Sequence, residues 1–399
     1  MQRSWRARAE RFGAVLAIEA PAALVSVDRA LARRLGVEGD ALWELPDRGL
    51  DVDPLSGPTE VHLAVTDRCR AGCTHCYADA TPTGHHPSTD ALLARLDAIA
   101  ALGAFYVAFG GGEALLRNDL PALAAHARAL GLVPTMTTSG LGLDGERART
   151  LRDFAQINVS YDGAGARYAE VRGYDGARHA EAAMRALADA GVPFGANVVL
   201  TRASFEAIDA TAARLDALGA RELQLLRFKP SGRARLDYLA ARLSAAQIAA
   251  FPATLARLAR ERAAGVRIDC SLVPFLVTDE TIAAADLVRF GVMGCEAGRS
   301  LLALDAHGQS MPCSFWREPG ADAARAWGED ATLTRFRAYR ASVPEPCASC
   351  RLRSSCRGGC RIVAAHLGGE PFAPDPECPR VAATAASDAS SPRLDVFVT

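Results

Sequence analysis

Strand-like and helix-like segments alternate along the middle of the chain, and this alternation is the strongest constraint on the fold. Helix-like segments with capping residues such as Ser88 separate six apolar runs of strand length. Six such units with right-handed crossovers predict an α/β fold with a parallel sheet. Alternation alone permits an open barrel or a flat doubly wound sheet. The six runs are 61–66, 105–110, 133–138, 156–161, 194–200 and 222–228.

The eleven cysteines fall into two groups instead of being scattered. Three lie within residues 69–76, seven lie within residues 295–378, and only Cys270 is outside both groups. They are too few for a disulfide scaffold in 399 residues and too clustered for unrelated thiols. Grouped thiols therefore predict metal or iron–sulfur ligation, because soft thiolates suit both.

The first group follows the first strand-like run directly. Cys69, Cys73 and Cys76 have a C-x3-C-x2-C spacing, which can place three sulfurs around one face of an iron–sulfur cube. The fourth iron would then lack a protein ligand, and an open metal position is where chemistry can occur. A zinc knuckle is the alternative, but closed zinc sites usually take four protein ligands and only His75 is nearby in sequence.

Charge and hydropathy exclude several other classes of protein. The net charge is -1, from 45 basic and 46 acidic side chains, so the chain has no general attraction for nucleic acid or anionic membrane. No apolar run reaches the length of a membrane span. The first twelve residues are charged and lack an apolar signal core, which predicts a cytoplasmic protein.

The loop from Cys69 to Cys76, with His75 before the last cysteine and Tyr77 after it, resembles the cluster-binding loop of radical S-adenosylmethionine (radical SAM) enzymes. The resemblance implies a partial (β/α)6 TIM-like barrel. It also implies a 4Fe-4S cluster whose open iron binds S-adenosylmethionine. Reductive cleavage of that cofactor would give a 5′-deoxyadenosyl radical that abstracts hydrogen from a substrate.

A glycine motif follows the second strand, at the end where parallel barrels carry their chemistry. Gly111, Gly112 and Glu113 resemble the family's Gly-Gly-Glu motif, which binds the methionine amino group of the cofactor. Glycines permit close backbone approach, and their amides can donate to a ligand. Ala114 replaces the usual proline, and an ordinary glycine turn is the alternative interpretation.

Further polar residues follow the later strands and are expected to contact the cofactor. By resemblance, Ser160 and Asp162 reach its carboxylate or ribose, although either could cap a helix instead. Arg172 can meet the carboxylate through its planar fork. Arg227 and Lys229 follow the sixth strand, where either substrate contacts or a solvated rim is expected. The expected cofactor contacts are Tyr77, Gly111, Gly112, Glu113, Thr138, Ser160, Asp162, Arg172 and Asn197.

The second group of cysteines resembles the seven-cysteine SPASM extension of peptide-modifying radical SAM enzymes, including its spacing glycine, Gly308. The resemblance implies two auxiliary 4Fe-4S clusters and three clusters in total. The segment 296–312 contains no cysteine, so the proximal cluster has an open iron or takes Cys270, His307 or a substrate thiolate as its fourth ligand. The implied distal ligands are Cys347, Cys350, Cys356 and Cys378, and the implied proximal ligands are Cys295, Cys313 and Cys360.

The predicted organisation has five parts. Residues 1–57 form a small α+β segment that covers the barrel edge or, alternatively, a reduced leader-peptide-binding unit. A long helix interrupted near Pro252 is expected in the bridging region, and the end of the chain is expected to be loose. The other parts are the barrel at 58–243, the bridging helical region at 244–290, the SPASM domain at 291–380 and the tail at 381–399.

The resemblance implies an enzyme that oxidatively modifies a ribosomally made peptide, for example by a crosslink or thioether. Its partners would be a precursor peptide and a flavodoxin- or ferredoxin-type electron donor. The alternatives are a formylglycine-forming sulfatase maturase, for which no acidic base is identified, and a small-molecule enzyme of tetrapyrrole or quinone-cofactor synthesis. A non-catalytic iron–sulfur electron-transfer protein is disfavoured, since Glu113 and the cofactor-facing turns imply a substrate pocket.

Overall fold

The computed structural model describes residues 5–19, 22–47, 49, 54–262, 265–292 and 294–390. The N-terminal part is a three-stranded antiparallel sheet in the order β1-β2-β3, followed by two short helices. These elements confirm the predicted α+β character of this segment, and residues 51–53 lie outside the described residues. The elements are β1 (Trp5–Glu10), β2 (Gly13–Glu19), β3 (Ala22–Asp28), α1 (Arg29–Arg34) and α2 (Asp40–Glu44).

This N-terminal sheet packs under the main sheet. Val15 and Ala17 bury against Leu55 and Phe105, which precedes a central strand. Arg8 donates hydrogen bonds at 2.7–2.8 Å to the backbone carbonyls of residues 57, 58 and 103. These residues directly precede the first two strands of the main sheet. The unit therefore closes the end of the main sheet where its parallel strands begin.

The main sheet confirms the predicted α/β class. All six predicted strands are present and pair in parallel in sequence order. The elements of this region are β4 (Glu60–Thr66), α3 (Thr89–Ala101), β5 (Tyr106–Gly111), α4 (Leu120–Ala129), β6 (Val133–Thr138), α5 (Gly145–Thr150), β7 (Gln156–Ser160), α6 (Ala166–Arg172), α7 (Ala177–Asp189), β8 (Phe194–Leu200), α8 (Arg202–Glu206), α9 (Ile208–Ala217) and β9 (Glu222–Arg227).

Alternate residues of these strands face opposite environments. Val61, Leu63 and Val65 are fully buried against the surrounding helices, as the two-residue period of a strand requires. Asn158 and Asn197, on the other face, are only half-buried and hydrogen-bond to each other across the strands at 3.0 Å. The inner face is thus lined with polar groups that a substrate or cofactor can meet.

Three further strands from beyond the barrel sequence extend the sheet at both edges. These strands are β10 (Gly265–Ile268), β11 (Leu301–Leu304) and β12 (Ser310–Met311). The full order of the sheet is β10-β9-β8-β7-β6-β5-β4-β11-β12, an open arrangement among the described strands. The strand β11 pairs in parallel with β4, and β12 returns antiparallel beside it. The remaining elements are α10 (Tyr238–Ala241), α11 (Ala245–Glu261), β10 (Gly265–Ile268), β11 (Leu301–Leu304), β12 (Ser310–Met311), α12 (Ala323–Glu329), α13 (Ala331–Ala341), α14 (Arg353–Cys356), α15 (Arg361–Gly368) and α16 (Pro379–Ser390), with short 3-10 helices at Ala114–Leu116, Gly232–Arg235, Cys270–Leu276 and Ala284–Phe290.

Three local predictions differ from the structure. The helix α11 continues through Pro252, because a capping box at Ser244 starts it and the buried Phe251 and Leu255 anchor it. The segment 204–218, whose sequence pattern predicts one helix, belongs to two helices, and Thr201 caps the first. The expected loose tail is helical up to Ser390, since its alanines favour helix, and residues 391–399 lie outside the described residues.

No helix in the described part of the chain is long and apolar enough to cross a membrane.

Candidate active site

The loop with the first three cysteines leaves β4 at the carboxyl end of the sheet. The amide of Cys69 donates to the carbonyl of Thr81 at 2.9 Å, and that of Thr74 donates to the carbonyl of Arg172 at 3.0 Å. All three thiols are free and partly exposed. Burial raises the pKa values of Cys69 and Cys73, so binding a metal centre here requires the release of protons.

A segment that follows β9, which the sequence analysis did not single out, also holds this loop in place. Arg233 donates to the carbonyl of Cys73 at 3.2 Å and to that of Ala80 at 3.1 Å. Gly232 has a φ of +58°, and a side chain there would meet the carbonyl of Cys76 at 2.5 Å. Only the position of Gly232 after a predicted strand could have indicated this contact.

The glycine motif lies directly against the same loop. Gly111 has a φ of +104°, and a Cβ at that position would lie 2.4 Å from the carbonyl oxygen of Thr66. The amide of Gly112 donates to the Thr66 carbonyl at 2.7 Å, and that of Glu113 donates to the Arg68 carbonyl at 2.8 Å. The Gly112 amide thus fixes the cysteine loop, and the assignment of Gly112 as a cofactor contact stays a prediction.

The Glu113 carboxylate is 3% exposed and is surrounded by donors. The Thr138 hydroxyl donates to Oε1 at 2.6 Å, and the amide of Ser139 donates to Oε2 at 2.8 Å. The amide of Leu115 also donates to Oε1, at 3.0 Å. The two predicted residues Glu113 and Thr138 thus meet in one buried network at the ends of β5 and β6.

Arg172 links the cysteine loop to the fourth strand. One guanidinium nitrogen donates to Asp162 at 2.7 Å, and another contacts the Cys73 sulfur at 3.3 Å. Burial opposes the charge of Arg172, but Asp162 and then Cys73 raise its pKa well above the usual value. Asp162 also accepts from the amide of Val199 at 2.7 Å, so it braces the site and does not cap a helix.

The other predicted cofactor contacts lie around the same inner face. Ser160 ends β7 and is half-buried, and Asn197 contacts Thr137 at 3.4 Å. Tyr77 packs its ring against Phe315 at 4.9 Å between centroids. Phe315 follows Cys313 closely in sequence, so Tyr77 joins the first cysteine loop to the second cysteine group.

The interpretation of Arg227 and Lys229 as a solvated rim does not agree with their environment. Both are buried, at 3% and 6% exposure. Arg227 donates to both carboxylate oxygens of Asp375 at 2.6 and 3.1 Å, and Lys229 pairs with Asp269. A solvated rim is wrong for both side chains, since Arg227 connects the sheet to the C-terminal module through Asp375 and Lys229 is paired with Asp269, directly after β10.

Four of the C-terminal thiols line one largely apolar cavity: Cys347, Cys350, Cys356 and Cys378. Val273, Pro274 and Val277 form part of its wall. Burial raises the pKa of Cys347 to about 11 and holds that of Cys356 well above its usual value. An apolar pocket with four convergent thiols has the donor chemistry of an iron–sulfur site.

The remaining C-terminal thiols form a second set that includes Cys270. The Cys270 thiol is hydrogen-bonded to that of Cys295, which raises the pKa of Cys270 and lowers that of Cys295. Burial, with the nearby Cys295 and Cys360, raises the pKa of Cys313 to about 12. His307, the other fourth-ligand candidate in the chain, instead stacks on His85 with ring centroids 4.3 Å apart.

A polar chain that sequence analysis missed leads from the inner face to this second set. His62 Nδ1 lies 2.8 Å from the hydroxyl of Ser314, the residue after Cys313. His62 Nε2 lies 3.4 Å from Glu60 on the same strand. Alternation along β4 predicts that both face inward, but nothing in the sequence pairs them with Ser314.

Among the described residues, no three His, Cys, Asp or Glu side chains are grouped as they would be around one metal ion. The fit of these residues to a multi-iron cluster is therefore judged from the type and number of their donor atoms. Three partly exposed thiols lie on one loop with Arg172 beside Cys73, four line one cavity, and four more include a hydrogen-bonded pair. Sulfur donors in these numbers fit iron–sulfur clusters.

Comparison with known proteins decides the family. The Radical SAM superfamily model matches residues 63–215. The PqqA peptide cyclase of Streptomyces rochei is 32% identical over 354 residues, which are 82% of this chain and 91% of that protein. The chain belongs to the radical SAM superfamily. The pre-heme d1 synthase of Dinoroseobacter shibae is 27% identical over 361 residues, 83% of this chain and 89% of that protein.

Solved structures agree with the fold of this radical SAM protein. Streptococcus suis SuiB bound to its precursor peptide SuiA superposes with a TM-score of 0.73 at 16% identity, covering 94% of this chain and 98% of that chain. The predicted radical SAM fold is confirmed. The predictions of an enzyme, of S-adenosylmethionine and of 4Fe-4S chemistry are confirmed by the family.

Proposed function

We propose that this radical SAM enzyme oxidatively modifies a ribosomally made peptide. The observation that carries the proposal is the similarity to the PqqA peptide cyclase of Streptomyces rochei over 82% of this chain. The likeness to SuiB, which binds a precursor peptide, supports a fold able to accept such a substrate. The product would carry a new crosslink, thioether or other oxidised side chain, and the precursor peptide would be the main partner.

We propose that Cys69, Cys73 and Cys76 ligate the SAM-binding cluster. When bound, the cluster and S-adenosylmethionine supply a 5′-deoxyadenosyl radical that abstracts hydrogen. Arg172 supports this assignment, because its charge lies 3.3 Å from the Cys73 sulfur and favours the thiolate. Arg233 and Gly112 keep the loop in a fixed position relative to the sheet.

The cofactor itself would lie over the carboxyl ends of the strands. Glu113 would receive its amino group, with Gly111, Gly112 and Thr138 shaping the binding position, while Arg172 would meet its carboxylate. Ser160, Asp162 and Asn197 would border its ribose, and Tyr77 would close the side nearest the C-terminal module. The buried carboxylate of Glu113 supports its role, because a buried negative charge attracts an ammonium group strongly.

For the C-terminal module we propose two auxiliary clusters, giving three in total. Cys347, Cys350, Cys356 and Cys378 would ligate the distal one, and Cys295, Cys313 and Cys360 the proximal one. The contact between Cys270 and Cys295 supports Cys270 as the fourth proximal ligand. An open proximal iron that binds substrate is therefore the weaker alternative.

We further propose the domain limits 1–57, 58–243, 244–290, 291–380 and 381–399, with the first acting as a cap under the sheet. The packing of Val15 and Ala17 against Phe105 supports the role of a cap in preference to that of a leader-peptide-binding unit. The electron donor would be of flavodoxin or ferredoxin type in the cytoplasm.

Anaerobic reconstitution tests the chemistry. Three four-iron clusters give about twelve irons per chain, and a Cys69/Cys73/Cys76→Ala variant should retain about eight. Only the parent should then form 5′-deoxyadenosine from S-adenosylmethionine. Zinc in place of iron, or nucleoside formation by the variant, would contradict the proposal.

The substrate class requires a separate experiment. The reduced enzyme is incubated with any short peptide found to be encoded beside its gene, and the peptide mass is measured. A crosslinked product should have lost two hydrogens only when the parent and S-adenosylmethionine are both present. Nucleoside formation with no change in any such peptide would favour a small-molecule substrate.

A further inference from the structure

One histidine lies between the open interior of the sheet and the second set of C-terminal thiols. His62 is on the inner face of β4, and its side chain is 37% exposed. Its Nδ1 lies 2.8 Å from the hydroxyl of Ser314, which directly follows Cys313 and is half-buried. This pair is therefore accessible from the interior and adjacent to a proposed proximal ligand.

The sheet leaves space between His62 and the first cysteine loop. Ala108 lies beside His62 on β5. The next inward pair towards the loop is Ala64 and Gly110. Ala64 and Ala108 are partly exposed, and a Cβ at Gly110 would meet no atom within 4 Å. A substrate held under the end of β5 can thus approach His62 without meeting a bulky side chain of these two strands.

A carboxylate lies next to the imidazole. Nε2 of His62 is 3.4 Å from Glu60, two residues earlier on the same strand. Burial opposes the charge of Glu60, but its hydrogen bond with His62, followed by the charges of His62 and Arg267, lowers its pKa. Glu60 is therefore an anion at neutral pH, and an adjacent anion stabilises an imidazolium.

Further titratable groups face the same part of the interior. Tyr106 is beside Glu60 in register, and Arg267 pairs with Glu222 at 3.5 Å on the strands β10 and β9. On the other side of β4, β11 places Ala303 beside His62. Glu60 is the acidic group in direct contact with His62, so it is the first to balance a proton taken up there.

The two hydrogen-bond partners assign the hydrogen positions of the neutral imidazole. An ionised carboxylate only accepts, so Nε2 carries the proton and points it towards Glu60. Nδ1 then accepts from the Ser314 hydroxyl. A second proton enters at Nδ1, because Nε2 already carries one. It passes through Ser314, which gives its own proton to Nδ1 and takes another in exchange.

We propose that His62, through the Ser314 hydroxyl, accepts the proton that leaves the substrate when the proximal centre accepts an electron. The inference rests on the proposed function, which places a peptide in the sheet and an iron–sulfur cluster at the proximal thiols. A crosslink joins a substrate carbon to a nucleophilic atom and removes one hydrogen from each.

These two hydrogens leave in different forms. The first leaves as an atom and is taken by the 5′-deoxyadenosyl radical. The second leaves as a proton and an electron while the new bond forms. The electron goes to an oxidised iron–sulfur cluster at the proximal thiols, and the proton goes to Nδ1 of His62. The residue is thus placed where both halves of the second hydrogen have an acceptor.

The first test needs no substrate. The full chain with Cys69/Cys73/Cys76→Ala serves as the parent, because its EPR signals come from the auxiliary centres alone. Redox titrations of the reconstituted parent are run between about pH 5 and 8, where histidine changes its charge. At least one midpoint potential should fall as pH rises, by up to about 59 mV for each tenfold drop in proton concentration.

Variants assign this pH dependence to one residue. Adding His62→Gln keeps a hydrogen-bonding side chain that cannot take up a proton, so the potential should no longer depend on pH. Adding Glu60→Gln removes the anion beside the imidazolium and should shift the dependence to lower pH. His126→Gln is the matched control, since His126 also pairs with a carboxylate, that of Asp97 at 2.8 Å, but on helices outside the sheet. Its titrations should equal those of the parent.

The second test uses a peptide that the enzyme with all its cysteines converts. His62→Gln and Ser314→Ala should form 5′-deoxyadenosine at the unchanged rate, because removal of the first hydrogen does not use the imidazole. Both should give product roughly 100-fold more slowly, since the proton lacks its acceptor or its path. Ser314→Thr keeps the hydroxyl and should stay near the original rate.

The outcomes separate this inference from the proposed function. Potentials of the parent that do not depend on pH would overturn the inference alone, and so would the same dependence in parent and His62→Gln at equal iron content. If His62→Gln binds no iron, an unshifted dependence in Glu60→Gln overturns it instead. Potentials that depend on His62 without conversion of any peptide support the proton coupling and contradict the peptide substrate. A parent that binds no iron overturns the auxiliary ligands and the inference together.

Discussion

The two cysteine regions are built in opposite ways. The first is one short loop whose three thiols are partly exposed at the end of the sheet. The second gathers thiols from segments between Cys270 and Cys378, and several of them are buried. The first region depends on glycine contacts and backbone hydrogen bonds, whereas the second depends on buried ion pairs.

That difference corresponds to two tasks. A centre that must bind a cofactor needs an open side, which a single loop can leave free. A centre that only exchanges electrons can be enclosed by protein, and its surroundings then set its potential. The comparison predicts that loop geometry controls the first region and that buried charge controls the second.

Breaking the buried ion pair between Arg227 and Asp375 should cause the largest loss of folding stability. Asp375→Asn leaves Arg227 with one fewer carboxylate in a buried position and should cost about 3–5 kcal/mol. Asp375 also accepts from the amide of Cys360 at 2.9 Å, so auxiliary iron should fall as well. Calorimetry and iron counting measure both effects.

The matched control is Arg242→Gln, which removes a partner of Glu377 that is 33% exposed. Exposed pairs contribute about 0–1 kcal/mol, so its melting temperature should change little. Equal destabilisation by Asp375→Asn and Arg242→Gln would contradict the prediction that the buried Arg227–Asp375 pair is the main connection between the sheet and the C-terminal module.

A glycine substitution should affect the first region alone. Gly111→Ala places a side chain at φ +104° and close to the Thr66 carbonyl, at a cost of about 1–3 kcal/mol. About four of roughly twelve irons should be lost. Gly110→Ala is the control, because a Cβ there has no atom within 4 Å; similar iron loss in both would show that strain is not the cause.

Replacing Cys270 should change the proximal auxiliary cluster without stopping formation of the 5′-deoxyadenosyl radical. Cys270→Ser should alter the EPR spectrum of the auxiliary clusters, because the proposed fourth ligand is replaced. Formation of 5′-deoxyadenosine should continue, since Cys69, Cys73 and Cys76 are untouched. An unaltered spectrum would support an open proximal iron, and Ser271→Ala is the control for local packing.

The smallest expected effect on folding stability comes from Glu181, which lies outside both cysteine regions. Hydrogen bonds from Arg214 and then Tyr161 lower the pKa of Glu181 to about 2, against the opposing effect of burial. Since the unfolded value is about 4.3, this carboxylate stabilises the fold fully above that pH and progressively less as pH falls towards 2. Glu181→Gln should cost about 1 kcal/mol at pH 7.

Urea denaturation at pH 7 and pH 3 tests this prediction. The difference between the parent and Glu181→Gln should shrink at the lower pH. Iron content and nucleoside yield should not change, because the network is on the outer side of the sheet. The exposed Glu170, paired only with Arg167 in the same helix, provides the control substitution Glu170→Gln.

Sequence patterns predicted the strands well because period and burial are local properties. The six central strands and the cap at Ser88 depend on neighbouring residues only. Long-range pairings were missed: nothing near Arg227 in sequence reveals Asp375, and nothing near His62 reveals Ser314. Likewise, the role of the Gly112 amide depends on a loop that begins more than forty residues earlier.

The pairing of β11 with β4 also affects how the chain is made. Thr59 and Ser300, which meet beside these strands, are 241 residues apart in sequence. At a synthesis rate of about 5–20 residues per second, that edge of β4 waits roughly 10–50 s for its neighbour. During that interval the nascent protein offers an unpaired strand edge next to its first three thiols, which makes chaperone protection and early metal delivery matter most at this point.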